Sequence, residues 1–131
     1  MQELFFFDFE RKNMRREIQL LLEQLHLTPY SNDYWVLGGA IDAAVDIYME
    51  CRPIVIRDVC SRLTNEGCSS SGDATDRRLR RVLERLTYEP GTKNVLDRVL
   101  GRSDYETVPL QEFLYAAVRW TRNSLDKDSR E

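Results

Sequence analysis

The residues best suited to chemistry form a cluster of arginines in the second half of the chain. They follow Asp76 and are opposed locally only by that residue and Glu84. Guanidinium groups release counterions from nucleic-acid phosphates, and they form paired hydrogen bonds to guanine in the major groove. We therefore expect double-stranded DNA as the ligand of this segment. The expected contact residues, which include a threonine at the start of the same predicted helix, are Thr75, Arg77, Arg78, Arg80, Arg81 and Arg85.

The same arginines have a simpler interpretation as a solvated helix face or as partners of acidic residues elsewhere. The chain has 19 lysines and arginines against 22 aspartates and glutamates, for a net charge of −3. A protein with this balance has no general positive field to attract phosphates. Any nucleic-acid site must therefore be local, and a basic helix alone is not a specific signal for one.

Other residue types that carry out nucleophilic or metal chemistry are few and scattered. His26, the single histidine, ends a predicted helix, where an exposed or structural role is common. Cys51, Cys60 and Cys68 have neither Cys-x-x-Cys spacing nor a neighbouring histidine. We expect Cys60 to be a core thiol, and we expect no enzymatic activity, no metal and no cofactor.

The cysteines and the hydropathy pattern also bear on the compartment. The three thiols are odd in number, and the first residues lack the basic-then-apolar pattern of a secretory signal. No apolar run approaches the length of a membrane span. These features predict a cytoplasmic protein with reduced cysteines and no membrane contact.

The elements that must position the arginines are predicted to be helices, because apolar residues recur at helical spacing along most of the chain. The predicted fold is all-α, a compact bundle of about six helices. The β-branched triplet at residues 54–56 leaves a short strand as an alternative there. The predicted helices cover approximately residues 10–25, 32–51, 53–63, 73–88, 92–100 and 109–125.

The second predicted helix is apolar around much of its circumference, which indicates a central helix packed on more than one side. Asn32 or Asp33 is expected to cap its first turn. Gly38 and Gly39 lie inside it, although glycine costs about 1 kcal/mol relative to alanine in a helix. Their presence favours close approach of another backbone at this point.

The third helix, a polar loop and the arginine helix follow one another in the order of a helix-turn-helix. The loop spans residues 64–73 and contains Gly67, Gly72 and three serines. It is long for a turn of this kind. The sequence therefore predicts a helix-turn-helix-like unit with an extended turn.

The chain is predicted to contain three parts, beginning with an N-terminal aromatic arm and helix at residues 1–26. The arm packs on the chain's own core or forms a dimer contact, since its side chains are costly to expose. Residues 27–125 form the helical domain, and residues 126–131 form a polar, frayed tail. The expected dimer or partner contacts of the arm are Phe5, Phe6, Phe7 and Phe9.

Three motifs occur in the order found in a known family. The first motif, a Gly-Tyr-x-Tyr-Leu-x-x-Ala-Ile segment, is matched by residues 33–41, Asp-Tyr-Trp-Val-Leu-Gly-Gly-Ala-Ile. The second, a recognition-helix pattern, is matched by residues 78–83, Arg-Leu-Arg-Arg-Val-Leu. The third, a proline followed by Glu-Phe-Ile, is matched by Pro109 and residues 112–114. Over residues 27–125 the chain resembles the C-terminal DNA-binding effector domain of the sporulation initiation response regulator, the stage zero sporulation protein A family. The resemblance implies a six-helix domain that binds promoter DNA, often as a dimer, with Arg78 and Arg81 approaching bases and phosphates.

The sequence departs from this family in two respects. Residues 1–26 are too short for a phosphoacceptor receiver domain, so we expect no control by phosphorylation of the family kind. The segment between Leu63 and Leu79 is longer than the family's tight turn, with residues 65–72 as the insertion. A longer turn is compatible with docking on DNA, but it also fits a domain that has taken another partner.

The resulting prediction is a sequence-specific, DNA-binding transcriptional regulator that acts as a homodimer. The alternative is a regulator or inhibitor of the phage or mobile-element type, which uses the helical fold to bind a protein. Such a binder would use the phenylalanine arm or the acidic and aromatic surface around Asp104, Tyr105 and Glu106.

Overall fold

The computed structural model describes residues 14–65 and 72–130, and within these ranges every regular element is a helix and there is no strand. This confirms the predicted all-α class, and the described ranges contain six helices. The predicted alternative of a strand at residues 54–56 is wrong, because Ile56 already begins a helix. The helices are α1 (Arg16–Gln24), α2 (Asn32–Met49), α3 (Ile56–Asn65), α4 (Gly72–Tyr88), α5 (Pro90–Leu100) and α6 (Leu110–Arg130).

Helix α2 is the centre of the bundle and packs against α1, α3, α4 and α6. Its buried residues point in nearly every direction around the helix, as its apolar sequence predicted. The two internal glycines are packing residues, but side chains rather than a backbone approach them. A Cβ added to Gly38 would lie 2.5 Å from Cε of Met14, and one added to Gly39 would lie 2.7 Å from Cδ2 of Leu63.

The starts and ends of the helices follow from a few local residues. Ser31 caps α2, because its hydroxyl accepts a hydrogen bond from the amide of Asp33 at 3.1 Å; the prediction of Asn32 or Asp33 as the cap was wrong by one or two residues. Pro90 begins α5 at the first turn, where its missing N–H costs nothing. Gly101 ends α5 with a φ of 77°, as predicted.

Helix α1 belongs to the same core as the rest of the chain. It begins at Arg16, later than the pattern from residue 10 predicted, and its apolar face is buried against α2 and α6. Arg15 forms ion pairs with Asp42 and Asp46 of α2, the second at 2.7 Å. The predicted boundary at residue 26 therefore does not correspond to a break in the hydrophobic core.

The ends of the chain differ from expectation or lie outside the described part. Helix α6 continues to Arg130, whereas a frayed tail was predicted from residue 126. Residues 126–130 contain no glycine or proline that would end a helix. The phenylalanine arm and the expected contacts Phe5, Phe6, Phe7 and Phe9 lie outside the described residues. Over the described ranges, no helix is both long and apolar enough to cross a membrane.

Candidate nucleic-acid interface

Helix α4 presents its arginines to solvent because its apolar residues anchor the opposite side. Leu79, Val82, Leu83 and Leu86 are all buried, as the helical spacing predicted. With 3.6 residues per turn, the arginines spread over an arc of roughly 160° on the outer side. We call this surface the arginine face; its members are Arg77, Arg78, Arg80, Arg81 and Arg85.

Thr75 does not belong to this face. Its relative exposure is 0%. It lies four residues before Leu79 and seven before Val82, so the helix turns it toward the core with them. The prediction of Thr75 as a DNA contact is therefore corrected.

One acidic side chain from a distant part of the chain lies within the arginine face. Asp33, in the first turn of α2, pairs with Nη1 of Arg85 at 2.8 Å and lies 3.6 Å from Nε of Arg78. Its carboxyl side chain is 19% exposed. Asp33, Arg78, Arg81, Val82 and Arg85 line an open groove of about 400 Å³.

Sequence reasoning missed this role of Asp33. The sequence indicated only that Asp33 lies near the start of a helix. Its pairing with α4 depends on how α2 and α4 pack, which no local pattern specifies.

Arg80 is also neutralised, in this case within its own helix. Its Nε donates a short hydrogen bond to the carboxylate of Asp76, four residues earlier. Pairs at this spacing meet on one helix face and contribute about 0.2–0.5 kcal/mol each. The simpler interpretation of the arginines, as partners of acidic residues, thus holds for Arg78, Arg80 and Arg85.

Arg77 and Arg81 are the uncompensated members of the arginine face. Both are exposed, and neither has an acidic partner within salt-bridge distance in the described part of the chain. They lie four residues apart, where two like charges repel each other slightly. An anion placed between these two guanidinium groups would relieve that repulsion and pair both of them.

A second, smaller groove separates the beginnings of α3 and α4. It has a volume of about 260 Å³, and its lining includes Arg57, Cys60, Asp76 and Arg80. Burial, with a further contribution from the charge of Asp76, raises the pKa of the Cys60 thiol to about 11. The thiol is therefore protonated at neutral pH and unsuited to nucleophilic attack, which agrees with its predicted position in the core.

The acidic and aromatic surface proposed for a protein partner is partly occupied by internal contacts. The hydroxyl of Tyr105 donates to the carboxylate of Asp97, and Nζ of Lys93 lies 4.3 Å from the centre of the tyrosine ring. Burial and the Asp97 charge raise the pKa of Tyr105. Arg102 pairs with both Asp104 and Glu112, at 2.9 and 2.6 Å. These contacts hold the loop between α5 and α6, while Asp104 and Glu106 stay exposed.

Among the residues considered for catalysis, Cys51 is exposed, Cys60 is buried and Cys68 lies outside the described residues. His26 is exposed at the end of α1 with a φ of 62°, and its ring lies against the start of α5 at Gly91. Among the described residues, no group of three or more histidine, cysteine, aspartate or glutamate side chains is placed to hold a metal ion.

Comparisons of the chain with protein-family models, with curated proteins and with solved structures found no match. The resemblance to the effector domain of the sporulation regulator therefore stays a prediction. Any functional assignment therefore rests on the structure of the chain itself, which is a helical bundle with an outward-facing row of arginines on one helix.

Proposed function

We propose that this protein binds double-stranded DNA through the arginine face of α4 and acts as a transcriptional regulator. One observation carries the proposal: Arg77 and Arg81 are exposed, adjacent on the helix and without an acidic partner in the described part of the chain. A pair of uncompensated guanidinium groups on a rigid helix is suited to bridging a phosphate. The remaining arginines widen this surface on either side.

The packing of α4 supports this use of its outer side. The helix is held by α2, α3, α5 and α6 through its buried stripe, so the arginines are presented by a fixed support. One arginine of the face can reach a base edge while the others contact phosphates. As the resemblance implies, we include assembly into a homodimer in the proposal, because paired half-sites are the usual targets of such domains.

The test is a fluorescence anisotropy titration of the protein with short DNA duplexes at several salt concentrations. We expect Arg77→Ala/Arg81→Ala to bind roughly 10- to 100-fold more weakly, because each of the two exposed arginines contributes a net hydrogen-bond free energy of about 1 kcal/mol. The slope of log K against log salt should become shallower by about 0.9, since the two arginines together contact one phosphate and each phosphate contact contributes about 0.9. Unchanged affinity of this variant would refute the assigned face.

A matched control is available on other helices. Arg16 of α1 and Arg98 of α5 are exposed, and no acidic side chain of the described residues pairs with either. Arg16→Ala/Arg98→Ala removes the same charge from elsewhere on the surface. It should retain most of the affinity, which separates a local site from an effect of net charge.

A protein partner with an acidic segment is the second candidate, and two observations favour it. The groove already accepts one carboxylate, that of Asp33. Tyr88, which is 69% exposed, ends α4 beside the arginines, and tyrosine and arginine are the residue types that dominate protein interfaces. If this candidate is correct, Tyr88→Ala weakens binding to a captured partner protein, and the wild-type protein shows no DNA binding even at low salt.

A further inference from the structure

We infer that Asp33 competes with nucleic-acid phosphate for Arg78 and Arg85, and that it thereby limits the affinity of the arginine face for non-cognate DNA. The inference rests on the proposed function and adds an internal regulator to it. Its basis is one juxtaposition, in which a carboxylate from the start of α2 lies between two arginines of α4.

The carboxylate of Asp33 offers these arginines what a phosphate would offer. Each oxygen faces a different guanidinium: Oδ1 lies 3.6 Å from Nε of Arg78, and Oδ2 lies 2.8 Å from Nη1 of Arg85. The two arginines are seven residues, or about two turns, apart and so lie on the same side of α4. A phosphate that bridges Arg78 and Arg85 would have to displace the Asp33 carboxylate, because the two negative charges would repel each other if both lay between the same arginines.

Asp33 is fixed in this position by the backbone around it. Its amide donates to the hydroxyl of Ser31 at 3.1 Å, and the indole N–H of Trp35 donates to the carbonyl of Pro29 at 2.8 Å. The next two side chains, Tyr34 and Trp35, are buried in the core. The backbone of Asp33 therefore cannot move away without disturbing the first turn of α2, and the short side chain keeps the carboxylate close to that backbone.

The arginines are the mobile members of the cluster. The side chains of Arg78 and Arg85 are 38% and 50% exposed, compared with 19% for Asp33. Each long side chain can rotate outward while its helix stays in place. DNA must then draw the guanidinium groups away from Asp33, so that every contact made by Arg78 or Arg85 replaces an existing ion pair.

The competition between the Asp33 carboxylate and DNA phosphate determines how many arginines of the arginine face can bind a random-sequence duplex. With Asp33 present, Arg77 and Arg81 neutralise phosphates without losing a partner, whereas Arg78 and Arg85 gain little. A cognate sequence that offers Arg78 or Arg85 a better partner, such as the paired acceptors of guanine, can overcome the competition. Asp33 thus acts as an element that disfavours non-specific binding.

The experiment compares Asp33→Asn with the wild-type protein, using a short random-sequence DNA duplex between about 50 and 200 mM salt. We expect the variant to bind roughly tenfold more tightly at the lower salt concentration and to have a salt slope steeper by about 0.9, the contribution of one phosphate contact. Adding Arg78→Ala and Arg85→Ala to the variant should abolish the gain.

Asp46→Asn is the matched control. It makes the same chemical change in the same helix and breaks the 2.7 Å ion pair with Arg15. Asp46 lies thirteen residues after Asp33, about 20 Å along α2, which is beyond the Debye length at these salt concentrations. We expect it to bind DNA as the wild type does; equal tightening would show that net charge, and not competition at the groove, is responsible.

The other outcomes separate the inference from the proposed function. If the wild type binds DNA and Asp33→Asn binds no more tightly, the inference is overturned and the proposed function stands. If neither protein binds, both are overturned. Asp33→Ser provides a second test should the asparagine variant not fold, since serine also suits the first turn of a helix, and the far-ultraviolet circular dichroism of each variant establishes that it is folded.

Discussion

Replacing Gly39 by alanine adds one methyl group to the most enclosed stretch of α2. Cδ2 of Leu63 on α3 would lie 2.7 Å from the new Cβ, about 1 Å closer than carbon atoms pack without repulsion. Leu63 is fully buried, so its side chain has little room to move. The substitution should therefore push α3 away from α2.

The magnitude follows from two opposing effects. Overpacking a core costs about 1–3 kcal/mol, while replacing glycine by alanine inside a helix contributes about 1 kcal/mol in favour of folding. The net expectation is a variant that is less stable than the wild type by up to about 2 kcal/mol. For a chain of this size, each kcal/mol corresponds to a change in Tm of about 3–5 °C.

Urea unfolding followed by circular dichroism measures this difference, and Gly72→Ala is the control. Gly72 is the first residue of α4, and nothing lies within 4 Å of the position of its added Cβ. Its alanine variant should be as stable as the wild type or more so. A Gly39→Ala protein that gains stability to the same extent would refute the reasoning about close packing.

A double-mutant cycle makes the test more specific. Leu63→Ala alone should cost about 2–5 kcal/mol, because it leaves a cavity in the core. Combined with Gly39→Ala, part of that space is filled and the repulsion disappears. The double variant should then be more stable than the two single effects predict, by about 1 kcal/mol or more; exact additivity would mean that the two residues do not touch.

Three further outcomes can be checked with standard measurements. Gly101→Ala should lower the free energy of unfolding by about 1 kcal/mol, since the φ of 77° at this position is strained for alanine; an unchanged urea midpoint would contradict this. Iodoacetamide at pH 8 should modify the exposed Cys51 much faster than the buried Cys60, whose pKa is raised to about 11. Peptide mapping by mass spectrometry measures the two rates, and faster modification of Cys60 would contradict its burial. The hydrogen bonds from Arg102 lower the pKa of Glu112 below 4.5, so the stabilisation by this ion pair is present above that pH and is lost as the pH falls through the lowered pKa. The free energy of unfolding of Glu112→Gln should therefore decrease less than that of the wild type between about pH 5 and pH 3. Parallel curves of unfolding free energy against pH would argue against the ion pair.

The positions of the helices were predictable because one-sided burial leaves a direct trace in the sequence. Leu79, Val82, Leu83 and Leu86 recur at the period of a helix, and the same residues are buried in the structure. Gly101 predicted the end of α5 correctly, whereas the helix begins at Pro90, two residues before the predicted start at residue 92. The spacing of four residues between Asp76 and Arg80 is also a direct sequence signal for their ion pair.

The candidate site was less predictable because its decisive contact is between distant parts of the chain. Asp33 precedes Arg78 by 45 residues, and only the packing of α2 on α4 brings them together. The position of Thr75 was misjudged for another reason: threonine is compatible with both core and surface, and its membership of the buried stripe follows from counting the helix forward to Leu79. Exposure, rather than residue type, decides which side chains are available to a ligand.

The central position of α2 has a consequence for how this protein moves. The amides in the middle of that helix, around Ala40, Ile41 and Ala44, are covered by four other helices and lie far from solvent. They should exchange with deuterium only when the whole molecule unfolds, and so report its global stability. The amides of the first turn, at Asp33, lie beside the groove and should exchange through small local openings. A ligand on the arginine face would then slow exchange at one end of α2 and leave its middle limited by global unfolding, so that a single helix reports both the occupancy of the site and the integrity of the fold.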